Sequence, residues 1–79
     1  MEYKGMKIVK VEWTDSVSSS YWVDSNKIEL APVHIVSFGV LFKDTPEYIA
    51  IMQNFDEDAN QVSNYMSIPK GCITKIEEL

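Results

Sequence analysis

The stretch that decides the fold is Val33-His34-Ile35-Val36-Ser37-Phe38-Gly39-Val40-Leu41-Phe42. Branched and aromatic side chains dominate it, and such residues favour β-strands. Residues 43–46, Lys-Asp-Thr-Pro, supply turn chemistry, and residues 48–55 form a second apolar run. The sequence therefore predicts a β-hairpin at the centre of the chain.

Three further strands are predicted outside this hairpin, one before it and two after it. Apolar and charged residues alternate over residues 7–13, which is the period of a half-buried strand. Residues 63–68 and 73–76 are also predicted as strands, separated by a break at Pro69-Lys70-Gly71. Residues 1–5 show no period and are predicted to be a loose lead-in.

The connections are predicted from their polar residues. Residues 14–20 are rich in hydroxyl groups, which satisfy the backbone locally, so a loop is expected there. Residues 24–32 favour a short helical turn, with Asp24 or Ser25 as N-cap and Pro32 preventing its continuation. Residues 56–61 are acidic and polar and are predicted to form the loop after the second hairpin strand.

These elements predict one small all-β domain spanning residues 1–79. Five short strands give too little sheet for a sandwich, so a single bent sheet that closes on itself is the expected solution. Closure also removes unpaired edges. Gly39, inside the central strand, is expected to mark a bulge or a sharp bend.

Two resemblances extend this prediction. Residues 67–73, Ser-Ile-Pro-Lys-Gly-Cys-Ile, resemble the junction of Src-homology-3-like (SH3-like) barrels. The resemblance implies a five-stranded SH3-like barrel with a 3₁₀ turn between its fourth and fifth strands. A longer pattern looks like a group of short, uncharacterised phage and prophage proteins; its residues are Val11, Trp13, Asp15, Ser16, Trp22, Ser37, Gly39, Leu41, Tyr48, Ile49, Ile51, Ile68, Pro69, Lys70, Ile73, Ile76 and Leu79. This likeness implies a viral origin and binding to host factors, including components of antiviral defence.

Composition excludes several classes of function. The chain contains seven Lys, no Arg and twelve Asp or Glu residues, which gives a net charge of −5. A nucleic-acid binder is not expected, because phosphate recognition needs a basic surface and favours arginine. One Cys excludes an internal disulfide and a cysteine-built zinc site, so a reducing cytoplasm is the expected compartment. No apolar run is long enough to span a membrane, and the first residues do not resemble a signal peptide.

Catalytic and metal sites find little support. His34 is the single histidine and lies in the most apolar strand, while Cys72 precedes the last strand, where a small thiol packs well. Asp56-x-Asp58-x-Asn60 begins like a calcium loop, but the Gly and Glu that such a loop needs are replaced by Gln61 and Ser67. A non-enzymatic protein without cofactor or metal is therefore expected.

An aromatic cluster is the first candidate binding site. Its predicted members lie around the serine-rich loop and are Trp13, Asp15, Tyr21, Trp22, Tyr48 and Tyr65. In SH3-like barrels the loop after the first strand lines a peptide groove with aromatic side chains. The Ala-Leu-Tyr-Asp-Tyr run and the paired tryptophans of true SH3 domains are absent, which argues against proline-rich ligands. Core filling is the alternative for both tryptophans.

The central strand is apolar on both sides, which gives a candidate interface. One side carries Val33, Ile35 and Leu41, and the other carries Val36, Phe38, Val40 and Phe42. Either a bent barrel strand buries its two halves on different faces, or the second row packs against a partner subunit. The prediction is a homo-oligomer or a stable complex that acts by protein–protein contact, with its acidic surface suited to a basic host protein. A small-ligand sequestering oligomer and a plain structural subunit remain as alternatives.

Overall fold

The computed structural model describes residues 1–16, 22–28 and 31–79, and these form an all-β protein. Six strands make one antiparallel sheet: β1 (Glu2–Tyr3), β2 (Met6–Asp15), β3 (Val33–Asp44), β4 (Tyr48–Asp56), β5 (Gln61–Pro69) and β6 (Ile73–Glu78). Both β1 and β6 pair with β2, and the sheet continues through β3 and β4 to β5. Two 3₁₀ turns, Ser25–Lys27 and Lys70–Cys72, complete the elements, and the described residues contain no α-helix.

The sheet is not closed. The strands that the structure describes pair in sequence as far as β5, and β5 does not pair back to β1 or β6. The predicted closure into a barrel is therefore absent, and the strand count is six instead of five. The 3₁₀ turn implied between the last two strands lies at Lys70–Cys72, as expected.

The extra strand lies in the segment predicted to be a loose lead-in. Tyr3 pairs with Met6 across a tight turn made by Lys4 and Gly5, which have φ values of 50° and 79°. Positive φ at both central turn residues matches the right-handed twist of a hairpin. The turn lacks a strong sequence signal because Lys seldom adopts that conformation.

The first long strand extends beyond its predicted end. Thr14 and Asp15, expected in a loop, pair instead with His34 and Val33 of β3. Ladder hydrogen bonds to a long apolar neighbour outweigh the local preference of hydroxyl and carboxylate side chains for turns. The remainder of that predicted loop, from residue 17 to residue 20, lies outside the described residues.

The predicted short helical turn is present. It is a single 3₁₀ turn over Ser25–Lys27, and the Asp24 carboxylate accepts a hydrogen bond of 3.0 Å from the Asn26 N–H. The N-cap prediction for Asp24 is confirmed. Residues 29–30 lie outside the described residues, and Ile28 is exposed.

The core is a small cluster on one face of the sheet. Its five buried members, each at most 3% exposed, are Val9, Val11, Ile49, Ile51 and Ile68. Trp13, Leu41 and Ile73 are partly buried against this cluster. Each fully buried aliphatic side chain contributes about 1.5–3 kcal/mol relative to an exposed one, so this cluster carries much of the stability.

Strand β4 is buried on both of its faces. Ala50 and Met52 are each 3% exposed, yet they do not belong to the core cluster formed by Ile49 and Ile51 on the alternate positions. Opposite them, the β3 register shifts between Leu41 and Lys43, which leaves the half-buried Phe42 as an extra residue. A bulge of this kind bends a strand. The bulge predicted in β3 is thus present, but at Phe42 and not at Gly39.

Candidate functional site

The sheet forks where β3 and β4 separate. These strands pair from Asp44 back to Val40, which lies opposite Met52, and the described pairing ends there. Beyond that point residues 33–39 of β3 remain paired with β2, whereas residues 54–56 of β4 remain paired with β5. We call these two halves the β2–β3 arm and the β4–β5 arm. Each therefore has an unpaired strand edge on the side of the fork, within the residues that the structure describes.

Gly39 and Gln53 lie at the base of the fork. A Cβ on Gly39 would be 2.9 Å from the Met52 carbonyl oxygen and 3.1 Å from the Ile51 Cβ, so only glycine allows this approach. The Gln53 side-chain amide donates a hydrogen bond of 3.3 Å to the Phe38 carbonyl oxygen. The Gln53 amide thus takes the place of the backbone N–H that a neighbouring strand would donate to this carbonyl.

A groove of about 380 Å³ occupies the fork, and we call it the β3–β5 groove. The β2–β3 arm contributes Val36, Ser37 and Phe38, and the β4–β5 arm contributes Gln53, Asn64, Tyr65 and Met66, with Ile51 also in the lining. None of these side chains is charged. The groove is therefore neutral in a chain whose net charge is −5.

Large apolar side chains in the groove are exposed to solvent. Tyr65 is 63% exposed, Phe38 51%, Val36 43% and Met66 41%. Such side chains each carry enough apolar area to dominate an interface when a partner covers them. Their concentration in one groove distinguishes this surface from scattered exposed residues, which are normal in any protein.

The opposite side of the fork is held by the β1 hairpin. The Tyr3 ring packs edge-on against Phe55 of the β4–β5 arm, with ring centroids 6.3 Å apart. The Tyr3 hydroxyl donates to a Glu57 carboxylate oxygen, and the Lys4 ammonium lies 3.4 Å from the same carboxylate. Tyr3 and Phe55 also line a second cavity of about 240 Å³ together with Val40 and Met52. The first and fourth strands thus fix the angle of the fork.

The Tyr3–Glu57 hydrogen bond shifts the pKa of both groups. It raises the pKa of the Tyr3 phenol above the usual 10.0, because the bond holds the phenolic proton. The same bond, reinforced by the Lys4 charge, lowers the pKa of the Glu57 carboxyl below the usual 4.5. Both groups lie on the surface, so solvent weakens the effect.

The predicted aromatic cluster is distributed over several places. Trp13 packs beside the core, and its indole N–H donates a hydrogen bond of 3.0 Å to the Ser37 hydroxyl at the groove. Trp22 is fully exposed, which excludes core filling for it, and Asp15 is exposed at the end of β2. Tyr48 begins β4 opposite Pro69, where the Lys43 ammonium lies 5.9 Å from its ring centre.

One member of the predicted aromatic cluster, Tyr65, lies in the groove. Tyr65 lies opposite Met52 in the sheet and lines the groove with Val36 and Phe38, which the sequence assigned to a different surface. Tyr21 lies outside the described residues. The groove thus combines one predicted aromatic residue with half of the predicted interface row.

The other half of that row lies deeper in the sheet. Val40 is half-buried opposite Met52 and lines the smaller cavity beside Tyr3, and Phe42 is half-buried at the bulge. The first half of β3 pairs with β2, and its second half pairs with β4. The four residues of the predicted interface row therefore do not form one exposed strip. Val36 and Phe38 are its exposed members.

The candidate catalytic and metal residues have ordinary surroundings. His34 is exposed, 3.4 Å from a Glu12 carboxylate oxygen, and Cys72 is half-buried in the second 3₁₀ turn. The Asp56 carboxylate accepts hydrogen bonds from the Asp58 and Ala59 N–H groups, which closes the hairpin tip. Across residues 1–16, 22–28 and 31–79 no three His, Cys, Asp or Glu side chains come together as a metal site.

Five groove residues were not predicted as part of any site: Ser37, Ile51, Gln53, Asn64 and Met66. A signal for two of them is present in the sequence, because residues 61–67 of β5 contain no charge although the flanking loop is acidic. Asn64 also adopts a left-handed conformation, with φ of 53°, which distorts the strand at the groove.

No known protein family, curated protein sequence or solved structure matches this chain. Within the part of the chain that the structure describes, no helix has the length and apolar character needed to cross a membrane.

Proposed function

We propose that this protein is a non-enzymatic binding module that acts through protein–protein contact at the β3–β5 groove. The observation that carries the proposal is the set of exposed apolar side chains, Val36, Phe38, Tyr65 and Met66, in one uncharged groove. Covering them with a partner removes apolar area from water, which is the main favourable term in association. Aromatic side chains in such a position are typical binding hot spots.

The backbone at the fork supports the same function. Residues 33–39 of β3 have one unpaired edge among the described residues, and the Phe38 carbonyl is bonded there only by the Gln53 side chain. An extended segment of a partner can add to such an edge through main-chain hydrogen bonds, while groove side chains provide selectivity.

We propose further that the sheet is an opened form of an SH3-like barrel in a protein of phage or prophage type that works in the bacterial cytoplasm. Support comes from the 3₁₀ turn at Lys70–Cys72 between the last two strands and from β2 pairing with the last strand. The net charge of −5 suits long-range attraction to a basic host protein.

A retention experiment with matched variants tests this function. Tagged wild-type protein, the double variant Phe38→Glu/Tyr65→Glu and the control Ile28→Glu are each incubated with bacterial lysate at low salt. Ile28 is 61% exposed, about as exposed as Tyr65, and lies outside the groove. We expect wild type and control to retain the same protein, which the groove variant loses, and the purified pair to bind more weakly as salt rises. Equal retention by all three proteins contradicts the proposal if wild type is also a monomer in solution.

A small-ligand sequestering role is the second candidate. The groove volume of about 380 Å³ falls within the roughly 300–1,000 Å³ of typical small-molecule sites. Native mass spectrometry of the undenatured protein distinguishes the two functions. A reproducible added mass that disappears in the Phe38→Glu/Tyr65→Glu variant supports the ligand, and one or two chain masses with nothing added support the protein-binding role.

A further inference from the structure

We infer that the partner in the β3–β5 groove is a second copy of this chain, with the outer edge of β5 in one copy pairing with the unpaired edge of residues 33–39 in the other. The pairing is reciprocal: the β5 edge of each copy pairs with residues 33–39 of the other copy. This inference rests on the proposed binding function and names the partner that the groove takes.

The exposed surface of the chain is the first support. A folded monomer of 9.1 kDa exposes about 4,900 Å². This chain exposes 6119 Å², which is about 1,200 Å² more than that expectation. A standard protein interface covers about 800 Å² on each partner. The excess is larger than that area, and it is shared between the groove and the exposed residues 22–28.

The dimensions of the chain agree with the area. Its radius of gyration is 16.1 Å, whereas a compact domain of 79 residues has about 12 Å. Only five side chains form the core cluster. A chain that is extended in this way buries little of its apolar surface alone, and small domains with marginal cores gain stability from oligomerisation.

The composition of the strand edges identifies which surfaces meet. Soluble proteins protect edge strands with charged side chains, Lys above all. Edge strand β6 follows this rule with Lys75, Glu77 and Glu78. Residues 61–67 of β5 and residues 33–39 of β3 contain no Lys, Asp or Glu. Unprotected edges are templates for pairing, so these two are the edges that we expect to be covered.

Charge favours a second copy over a basic partner at this place. Two chains of net charge −5 repel each other unless they meet through neutral surface. The groove and both unprotected edges are neutral, so such a contact avoids placing acidic groups against each other. A strongly basic partner would instead be matched by acidic side chains in the groove, and the groove has none.

In a reciprocal dimer, each copy contributes both its β2–β3 arm and its β4–β5 arm to the contact. In an isologous dimer the same surface of each subunit contributes, so Phe38 and Tyr65 of both copies become buried. The dimer closes on itself and covers both of these edges in each copy.

Light scattering on the full chain provides the test. At about 100 µM we expect wild type to have twice the 9.1 kDa chain mass. Phe38→Glu and Tyr65→Glu should each raise the dimer dissociation constant at least tenfold, and Ile28→Glu should leave it unchanged. Circular dichroism establishes that each variant retains its strand content.

Hydrogen exchange supplies a second measurement that needs no variant. Amides on the outer edges of residues 33–39 and 61–67 should become protected as the concentration of wild-type protein rises, and amides of β6 should not. A wild-type monomer, or edge amides that exchange equally fast at every concentration, overturns the inference. If wild type is monomeric while the groove variant still loses a retained host protein, the partner is a different protein and the binding function stands.

Discussion

Gly39 lies so close to β4 that a Cβ on this residue would be 2.9 Å from the carbonyl oxygen of Met52. At this contact the sheet divides into its two arms, since Val40 and Met52 are the last described pair between β3 and β4. Because residue 39 has no side chain, the backbones of β3 and β4 can approach each other closely at this point. A residue without a side chain therefore lies at the base of the groove.

Replacing Gly39 should destabilise the protein. Gly39→Ala places a methyl group against the Met52 carbonyl and the Ile51 side chain, so the free energy of unfolding should fall by about 1–3 kcal/mol. Gly71→Ala is the matched control, because nothing lies within 4 Å of its added Cβ. Urea unfolding of both variants measures the difference. Equal midpoints would show that β3 and β4 are farther apart than the structure places them.

Removing a core side chain should cost more than removing an exposed one. Ile49 is fully buried, and Ile49→Ala should lower the free energy of unfolding by about 2–5 kcal/mol through lost burial and a cavity. Ile28→Ala removes the same atoms from a side chain that is 61% exposed and should change stability by at most about 0.5 kcal/mol. Denaturant titration gives both values, and similar losses at the two sites would contradict the assigned core.

The Trp13–Ser37 hydrogen bond should couple the core to the groove. Ser37→Ala removes the acceptor of the indole N–H, which costs about 1 kcal/mol. In a double-mutant cycle with Trp13→Phe, the coupling free energy should be about 0.5–1.5 kcal/mol. Additive losses would mean that the two side chains do not interact in solution.

The Tyr3–Glu57 contact should make stability depend on pH in a defined direction. The pKa of Glu57 is lower in the folded chain than in the unfolded chain. Its contribution is therefore complete above the usual value of 4.5 and is lost as the pH falls through the lowered folded pKa. The pKa of Tyr3 is raised, so its contribution is present below 10.0 and is lost as the pH rises through the raised value.

Glu57→Gln isolates this effect from the other carboxylates. The difference in unfolding midpoint between wild type and Glu57→Gln should be largest near neutral pH and should vanish in strong acid. Glu47→Gln is the matched control, because it also replaces one exposed carboxylate by an amide and lies outside the Tyr3–Glu57 contact. A difference that persists unchanged at low pH would show that the hydrogen bond does not depend on ionised Glu57.

Local patterns predicted most of the strands. Period-two alternation over residues 7–13 identified β2, and the apolar run of residues 33–42 identified β3, because burial of one face imposes that spacing. The β1 hairpin was missed since its turn uses Lys4 at positive φ, and sequence statistics give Lys little weight there. The extension of β2 through Thr14 and Asp15 depends on a partner strand distant in sequence.

The groove required knowledge of which strand edges remain unpaired. Phe38 and Tyr65 each stood out in the sequence, but they were assigned to separate surfaces because their proximity depends on where β3 parts from β4. Gln53 carries no local signal of its own.

By itself, the sequence determined that this chain is all-β, acidic and apolar along its central strand, since those properties follow from residue type and spacing. Only the tertiary structure decided that the sheet stays open, that it forks at Gly39 and that Tyr65 shares a groove with Phe38. The physical reason is that strand pairing joins residues far apart in the chain. The register and the end points of this pairing depend on how closely two strand backbones approach each other. The type of a single residue does not determine that approach.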